Sequence, residues 1–408
     1  MRAILAAVSV LALASACQPQ APAAPAAIAP GPTAYTDLQK RLIEAKPGDK
    51  IELAAGTFDF TDGLSLDVDN VSVTGAGQGQ TILSFKGQTG AGEGLLVTSN
   101  GVTLSDFTMQ DSKGDGIKSK GSDGITFKNL TVEWTGGPLA TNGAYGVYPV
   151  ESKNVMIDGV TVRGASDAGI YVGQSENIIV RNSRAEFNVA GIEIENSTHA
   201  DVYDNVATKN AGGILVFDLP NLPVMGGHST RVFRNQIVEN DTQNFAPPGN
   251  IVANVPTGTG LMLMANKNVH VFENTFDKNK TAHVMVIAYS SEYDDPTYNP
   301  LPRDFVIRDN TYGEGGNDPQ GRLAPLAPAL GGSLPAIVWD GVTRYGEKGD
   351  KTEEVRIVVR EKPEVGFINL GLGTTPPDLT KAKPSTERLP DAQIEEPAAV
   401  AMPGKEGA

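Results

Sequence analysis

Short stretches that open on glycine or histidine and alternate an apolar residue with an outward one recur along the middle of the chain. They read Gly116-Ile117-Lys118, Gly146-Val147-Tyr148, Gly169-Ile170-Tyr171, Gly191-Ile192-Glu193, Gly213-Ile214-Leu215, Gly260-Leu261-Met262 and His283-Val284-Met285. The glycines at 146, 169, 191 and 213 stand 23, 22 and 22 residues apart, and Gly260 to His283 is again 23. Upstream, Gly94-Leu95 lies 22 residues before Gly116, and Gly63-Leu64 a longer 31 before that. Alternation of period two is a strand signal, and its return every 22 residues means one unit stacked on copies of itself. The pattern predicts an all-β chain, a single-stranded right-handed parallel β-helix.

A second apolar ladder keeps the same period through Val102-Thr103-Leu104, Ile125-Thr126-Phe127, Val155-Met156-Ile157, Ile178-Ile179-Val180 and Val269-His270-Val271. Two residues beyond it come corner residues: Gly75, Asp106, Asn129, Gly159, Asn182, Asn205, Asn235, Asn274 and Asn310. Asparagine and glycine tolerate the left-handed backbone of a sharp corner, and stacked asparagines can hydrogen-bond along a solenoid. A second polar corner falls at Asn188, Asn210, Asn240 and Asn279. Nine to ten such rungs at strand spacing predict a body roughly 45 Å long. Asp37 to Ala45 reads as a short amphipathic helix with a Thr36/Gln39 capping box, stopped by Pro47-Gly48. Such a helix plugs the open end of a coil, which otherwise exposes interior and unpaired strand edges.

The ends differ from the middle. Met1-Arg2, an uncharged run from Ile4 and the small residues Ala14-Ser15-Ala16 form a secretory signal over 1–16, too short to span a bilayer. The chain's one cysteine, Cys17, follows at once, so this junction resembles a bacterial lipobox with Cys17 as the lipidated first residue. Gln18 after it implies, by the same resemblance, an outer-membrane lipoprotein of the cell envelope. Residues 17–33 are an Ala/Pro tether, 34–372 the β-helix, and 373–408, rich in Pro, Glu and Lys, an expected disordered tail. The net charge of −15, one unit more negative once Arg2 leaves with the signal, argues against a nucleic-acid partner.

Four segments carry a family likeness: SDAGIYVGQSENI (166–178), GIEIENS (191–197), GGILVFDLPNLP (212–223) and NFAPPGNIVANVPTGTGL (244–261). On them the chain resembles exported bacterial pectate-lyase-like β-helix proteins, distant relatives of mannuronan C5-epimerases and of the periplasmic β-helix protein of nitrous-oxide-reductase maturation. The resemblance implies the fold and a partner, an exported cytochrome-like protein, but no settled activity. The aspartate, histidine and arginine motifs of the characterised epimerases, polygalacturonases and pectate lyases are absent from the sequence.

Outward residues of the Gly-initiated strands stack in columns. Lys118/Lys120, Tyr148, Tyr171 and Glu193/Glu195 make the N-terminal half of this face polar, while Leu215/Phe217, Met262/Met264 and Met285/Ile287 make the C-terminal half apolar. Glu193 and Glu195 share one strand face at a spacing usable for acid–base work on a glycoside or for calcium. Asp167 and Asp218 flank them by one rung each, completing the candidate catalytic set. Lys118, Lys120, Tyr148 and Tyr171 are the candidate substrate-binding residues, through charge and sugar stacking. His270, between Val269 and Val271, reads as structural, and no metal set is assigned; calcium at Asp294-Asp295 or Glu314–Asp318 is a weak signal. Insertions at 218–229, 244–257 or around Ala336–Trp339 could cover the apolar half. Two readings follow. In one, the protein binds or processes a polysaccharide by lyase, epimerase or hydrolase chemistry along its strand face. In the other, it is a non-catalytic accessory that docks the cytochrome-like partner through an open apolar half.

Overall fold

The computed structural model describes residues 26–344, 355–373 and 384–403, so the signal sequence and the lipidation at Cys17 lie outside the described residues. Each turn of chain passes through three strands, as in Ala168–Gly173, Glu176–Arg181 and Arg184–Glu186, before Ala190–Glu195 begins the next. The strands of the first kind pair into one parallel sheet of eleven, from Leu64–Leu66 to Phe367–Asn369. The other two kinds join at the bends into a second sheet of nineteen. Parallel pairing puts like on like: Val147 faces Ile170, then Ile192, Ile214, Leu261 and Val284 on successive rungs. All six are fully buried, so the apolar column read from the 22-residue period is the core of the coil.

That column also runs on through Ile337, which pairs with Val284. The segment around Ala336–Trp339, expected as a cover, is a rung strand (Ile337–Trp339) because Ile337 and Trp339 alternate inward. The capping helix spans Ala34–Ile43, starting before the predicted capping box, with Thr33 as its N-cap. Ala34, Leu38 and Leu42 face the first rung, and the chain leaves through Gly48 at φ +93°. Part of the tether joins the coil as well, since Ile28 bridges Leu53 in parallel.

The corner asparagines divide between the two jobs that the sequence suggests. Asp106, Asn129, Gly159 and Asn182 are left-handed themselves, but beyond them that position passes to Asp204, Arg234, Glu273 and Asp309. Asn205, Asn235, Asn274 and Asn310 stand one place later, and each donates its side-chain amide to the next at 3.0 Å. Asn188, Asn210, Asn240 and Asn279 form a second ladder, with steps of 3.1, 3.1 and 3.0 Å. Each buried amide also donates to a backbone carbonyl, as Asn210 does to Ala185, so the stack satisfies groups that are costly to bury unpaired. Left-handed residues such as Arg234 cost about 1–2 kcal/mol each, which the ladder bonds offset.

The tail differs most from expectation. Within the 373–408 stretch expected to be disordered, residues 384–403 are placed against the coil. Ser385 bridges Asn369 on the last rung, and the chain then runs back across the side of the coil. Asp391 pairs with Arg360, Glu396 with both Arg308 and Arg231, and the Val400 amide donates to Asp201. Composition alone counts few apolar residues there, but these arginines and the burial of Pro397 give the segment a place.

Candidate functional site

The eleven-stranded face carries the predicted columns. Lys118 faces Tyr148, Tyr171 faces Glu193, and Glu193 faces Leu215, which is followed by Met262 and Met285. Glu195 likewise lies between Gly173 and Phe217. The polar half of this face, although its charged residues point outward from the coil, is not open to solvent. Glu193, Glu195 and Asp167 are 2%, 8% and 7% exposed, and Tyr171 is 4%. Their roof is the insertion 244–257, whose Val252 and Val255 pack with Ala168, Tyr171, Ala190 and Ala211. Small residues beneath let it descend: a Cβ on Gly212 would stand 2.9 Å from the Val255 side chain.

Under this roof three carboxyl groups meet. Glu193 and Glu195 lie within hydrogen-bonding reach of one another, and the Tyr171 hydroxyl donates to Glu195 Oε1 at 2.7 Å. The Tyr171 ring reaches there by lying across Gly173, where a Cβ would come within 2.3 Å of its hydroxyl oxygen. Asn250, at the edge of the roof, donates to Asp167 Oδ2 at 3.1 Å, and Tyr145 also bonds this carboxyl. Burial is the main cause that raises Asp167 to about 7, with the nearby Glu195 adding to it. Burial likewise raises Glu195 to about 7, although its bonds from Tyr171 and Glu193 oppose the shift. Glu193 is pushed well up by burial and by both neighbouring carboxylates, and its Oε2 is buried without a partner. Such a group stays protonated at neutral pH.

Toward the first rungs lies a polar cleft of about 440 Å³, lined by Glu93, Lys113, Asp115, Asn142, Ser166 and Asn250, the last of which joins it to Asp167. Asp115 is raised to about 6 by burial, against the pull of Lys118. Lys118 pairs with Glu93 at 3.2 Å and sits 4.8 Å over the Tyr148 ring. The rings of Tyr145, Tyr148 and Tyr171 pack with centroids 4.5–4.9 Å apart.

The structure therefore brings together Asp167, Glu193, Glu195, Tyr148 and Tyr171, with Lys118 at the edge. Lys120 stands apart in an exposed pair with Glu151 at 3.6 Å. Asp218 holds a loop, accepting the Gly226 and Gly227 amides at 3.0 Å, although it lies one rung beyond Glu195 as expected. Asp115, Tyr145 and Asn250 were not predicted. The run Asp115-Gly116 before a strand parallels Asp167-Ala168-Gly169 and is a signal for the first. Asn250 gives none, because its place depends on how the roof folds back. Among the described residues no group of three or more His, Cys, Asp or Glu is arranged to hold a metal ion, including the stretches read as weak calcium signals.

Beyond the roof lies a larger cavity, about 790 Å³, floored by Phe217, Met262, Met264, Met285 and Val338. The floor residues are themselves buried, so the apolar half is walled by loops and does not stand open.

A family model described as the right handed beta helix region matches residues 69–226 and 145–295. The A-module of mannuronan C-5 epimerase AlgE4 from Azotobacter vinelandii is similar in structure, with a TM-score of 0.51 at 14% identity over 84% of this chain and 94% of that one. The Streptococcus pneumoniae surface protein and adhesin PfbA gives 0.50 at 12% identity, over 75% and 84%. In sequence, a pre-neck appendage protein of Bacillus phage B103 is 26% identical over 192 residues, 38% of this chain. The match spans only 22% of that phage protein's length.

Proposed function

We propose, for a chain that belongs to the right-handed β-helix family, that it is an exported, lipid-anchored protein that binds a polysaccharide and processes it by acid–base chemistry. One observation carries this reading: Asp167, raised to about 7 with Glu195 beside it, accepts a hydrogen bond from Asn250, which lines a polar cleft. A carboxyl that titrates near neutral pH can give or take a proton in either direction, and such groups gather at functional sites. Asp167, tied to the cleft through Asn250, is the first proton carrier, and Asp115, raised to about 6, stands on the same cleft. Glu193 and Glu195 hold a reserve proton behind it. Lys113, on the cleft, offers a charge for an acidic sugar. The roof closes the strand face beyond Asn250, so a polymer track ends there and a chain end is what the cleft admits.

The likeness to a module named as a mannuronan epimerase supports a saccharide on this fold, without identifying which one. Anchoring through Cys17 in the cell envelope, with the protein held at the outer membrane, rests on the signal and lipobox pattern. The accessory reading, a docked cytochrome-like partner, is weakened, since Leu215, Phe217, Met262 and Met264 lie beneath loops.

A glycan array that includes uronate-containing polymers tests the proposal. Binding is expected, with turnover lost in Asp167→Asn and Glu195→Gln while binding persists, because both substitutions keep shape and remove only the titrating group. An array with no bound glycan, or turnover that survives both substitutions, overturns it.

A further inference from the structure

The polar cleft and the apolar cavity share a wall. Asn250 lines the first and Ile251, the next residue, lines the second. The two spaces lie on one strand face and differ in chemistry. The cleft carries Glu93, Lys113, Asp115 and Asn142, whereas the cavity floor is three methionines with Phe217 and Val338. The floor runs over the strands Gly212–Phe217, Thr259–Met264, Ala282–Ile287 and Ile337–Trp339 and on to Leu370. That is four rung steps, roughly 19 Å at parallel strand spacing.

A space of about 790 Å³ falls within the range of small-molecule sites, and methionines adapt their shape to flexible apolar chains. The one acid on its lining, Asp340, gives both oxygens to the Ala288 and Val342 amides and so offers no claim on a ligand. Between cleft and cavity stands Ile251, 36% exposed, an apolar crest, and the cation on the cavity lining, Arg322, is exposed.

We propose that the ligand of this face is an amphiphile: a saccharide carrying a long apolar chain, with the sugar in the polar cleft and the chain over Ile251 into the methionine-floored cavity. The proposal rests on the saccharide reading of the cleft and narrows it to a lipid-linked or acylated sugar end.

The test measures binding of butyl, octyl and dodecyl β-D-glucuronide to the mature protein below their micelle concentrations. N-phenyl-1-naphthylamine fluorescence serves as a chain-only probe of the cavity. Removing a methylene from water is worth up to about fourfold in affinity. Tightening of at least tenfold from butyl to dodecyl is therefore expected, together with displacement of the naphthylamine. Ile251→Asp, at an exposed position that leaves folding intact, should erase the chain-length gain and spare butyl glucuronide binding. If butyl glucuronide binds and lengthening the chain brings no gain, this proposal falls and the saccharide reading stands. If the naphthylamine fills the cavity while no glucuronide and no glycan on the array binds, both fall. Chain-length gain that survives Ile251→Asp unchanged also overturns the path over the crest.

Discussion

Replacing Glu195 by Gln keeps the shape of the side chain and an oxygen to accept the Tyr171 hydroxyl, and it removes one titration from the roofed cluster. Burial is the leading cause that lifts this carboxyl from 4.5 to about 7. The unfolded chain gives up that proton near 4.5, while the folded protein keeps it to about 7. Between those values the folded state binds more protons, so stability is full below about pH 4.5 and is lost as pH rises through about 7. The gap corresponds to about 3 kcal/mol of instability at pH 8, at 1.36 kcal/mol for each pH unit. Glu195→Gln should therefore be more stable than the parent by about 3 kcal/mol at pH 8, and by less than about 1 kcal/mol at pH 5. Urea unfolding followed by circular dichroism at both pH values, at one ionic strength, measures it. Asp167 and Asp340, raised to about 7, tilt the parent's own curve the same way, toward greater stability at pH 5 than at pH 8. A variant destabilised at pH 8, or shifted equally at both pH values, would refute the idea that this cluster stores ionisation strain. A gain in stability with loss of turnover is the pattern expected where function holds a group in an unfavourable place.

Other substitutions probe separate parts. Asn210→Ala removes the amide that donates to Ala185 and Asn240 and the oxygen that accepts the Asn188 backbone and side-chain N–H groups, so thermal melts should show a loss of about 3 kcal/mol. Asn310→Ala, at the half-buried end of its ladder, should cost less, and equal losses would mean the ladders contribute nothing by continuity. Gly173→Ala places a methyl against the Tyr171 hydroxyl and should break its bond to Glu195, lowering turnover at least as far as Tyr171→Phe does. Unchanged activity in either variant would remove Tyr171 from the site. Cys17→Ser should move the protein from the membrane fraction to the soluble one on cell fractionation, and a wild type already soluble after export would refute the anchor.

The repeat was legible because its contacts are periodic. A residue 22 or 23 places on is a rung neighbour, so Ile170, Ile192 and Ile214 announce both their strand and the direction they face. The same arithmetic puts Tyr171 beside Glu193 and Gly173 beside Glu195. The asparagine columns were legible as stacks, but their offset was not. One place separates a left-handed corner from an inward amide, and only the backbone angles tell Asn182 from Asn205.

What the period could not reach is everything made by insertions. The segment 244–257 has no partner at a fixed spacing; it settles where Ala168, Ala190 and Gly212 leave room, and that choice buries Glu193 and Glu195. Those two glutamates would have ordinary acidities on an open strand face; under the roof, desolvation raises them. Asn250 joins the site for the same reason, from the roof, whereas Tyr145 stands on a rung and faces Ala168 across one 23-residue step. The strap at Glu396 is likewise a matter of place, since its charge means disorder in isolation and a double ion pair once Arg231 and Arg308 stand beside it. Sequence determined the coil and the faces of its strands, because alternation and period act between neighbours. Tertiary structure decided which face is dry, and with it which carboxyls can move protons near neutral pH, because desolvation depends on everything packed around a group at once.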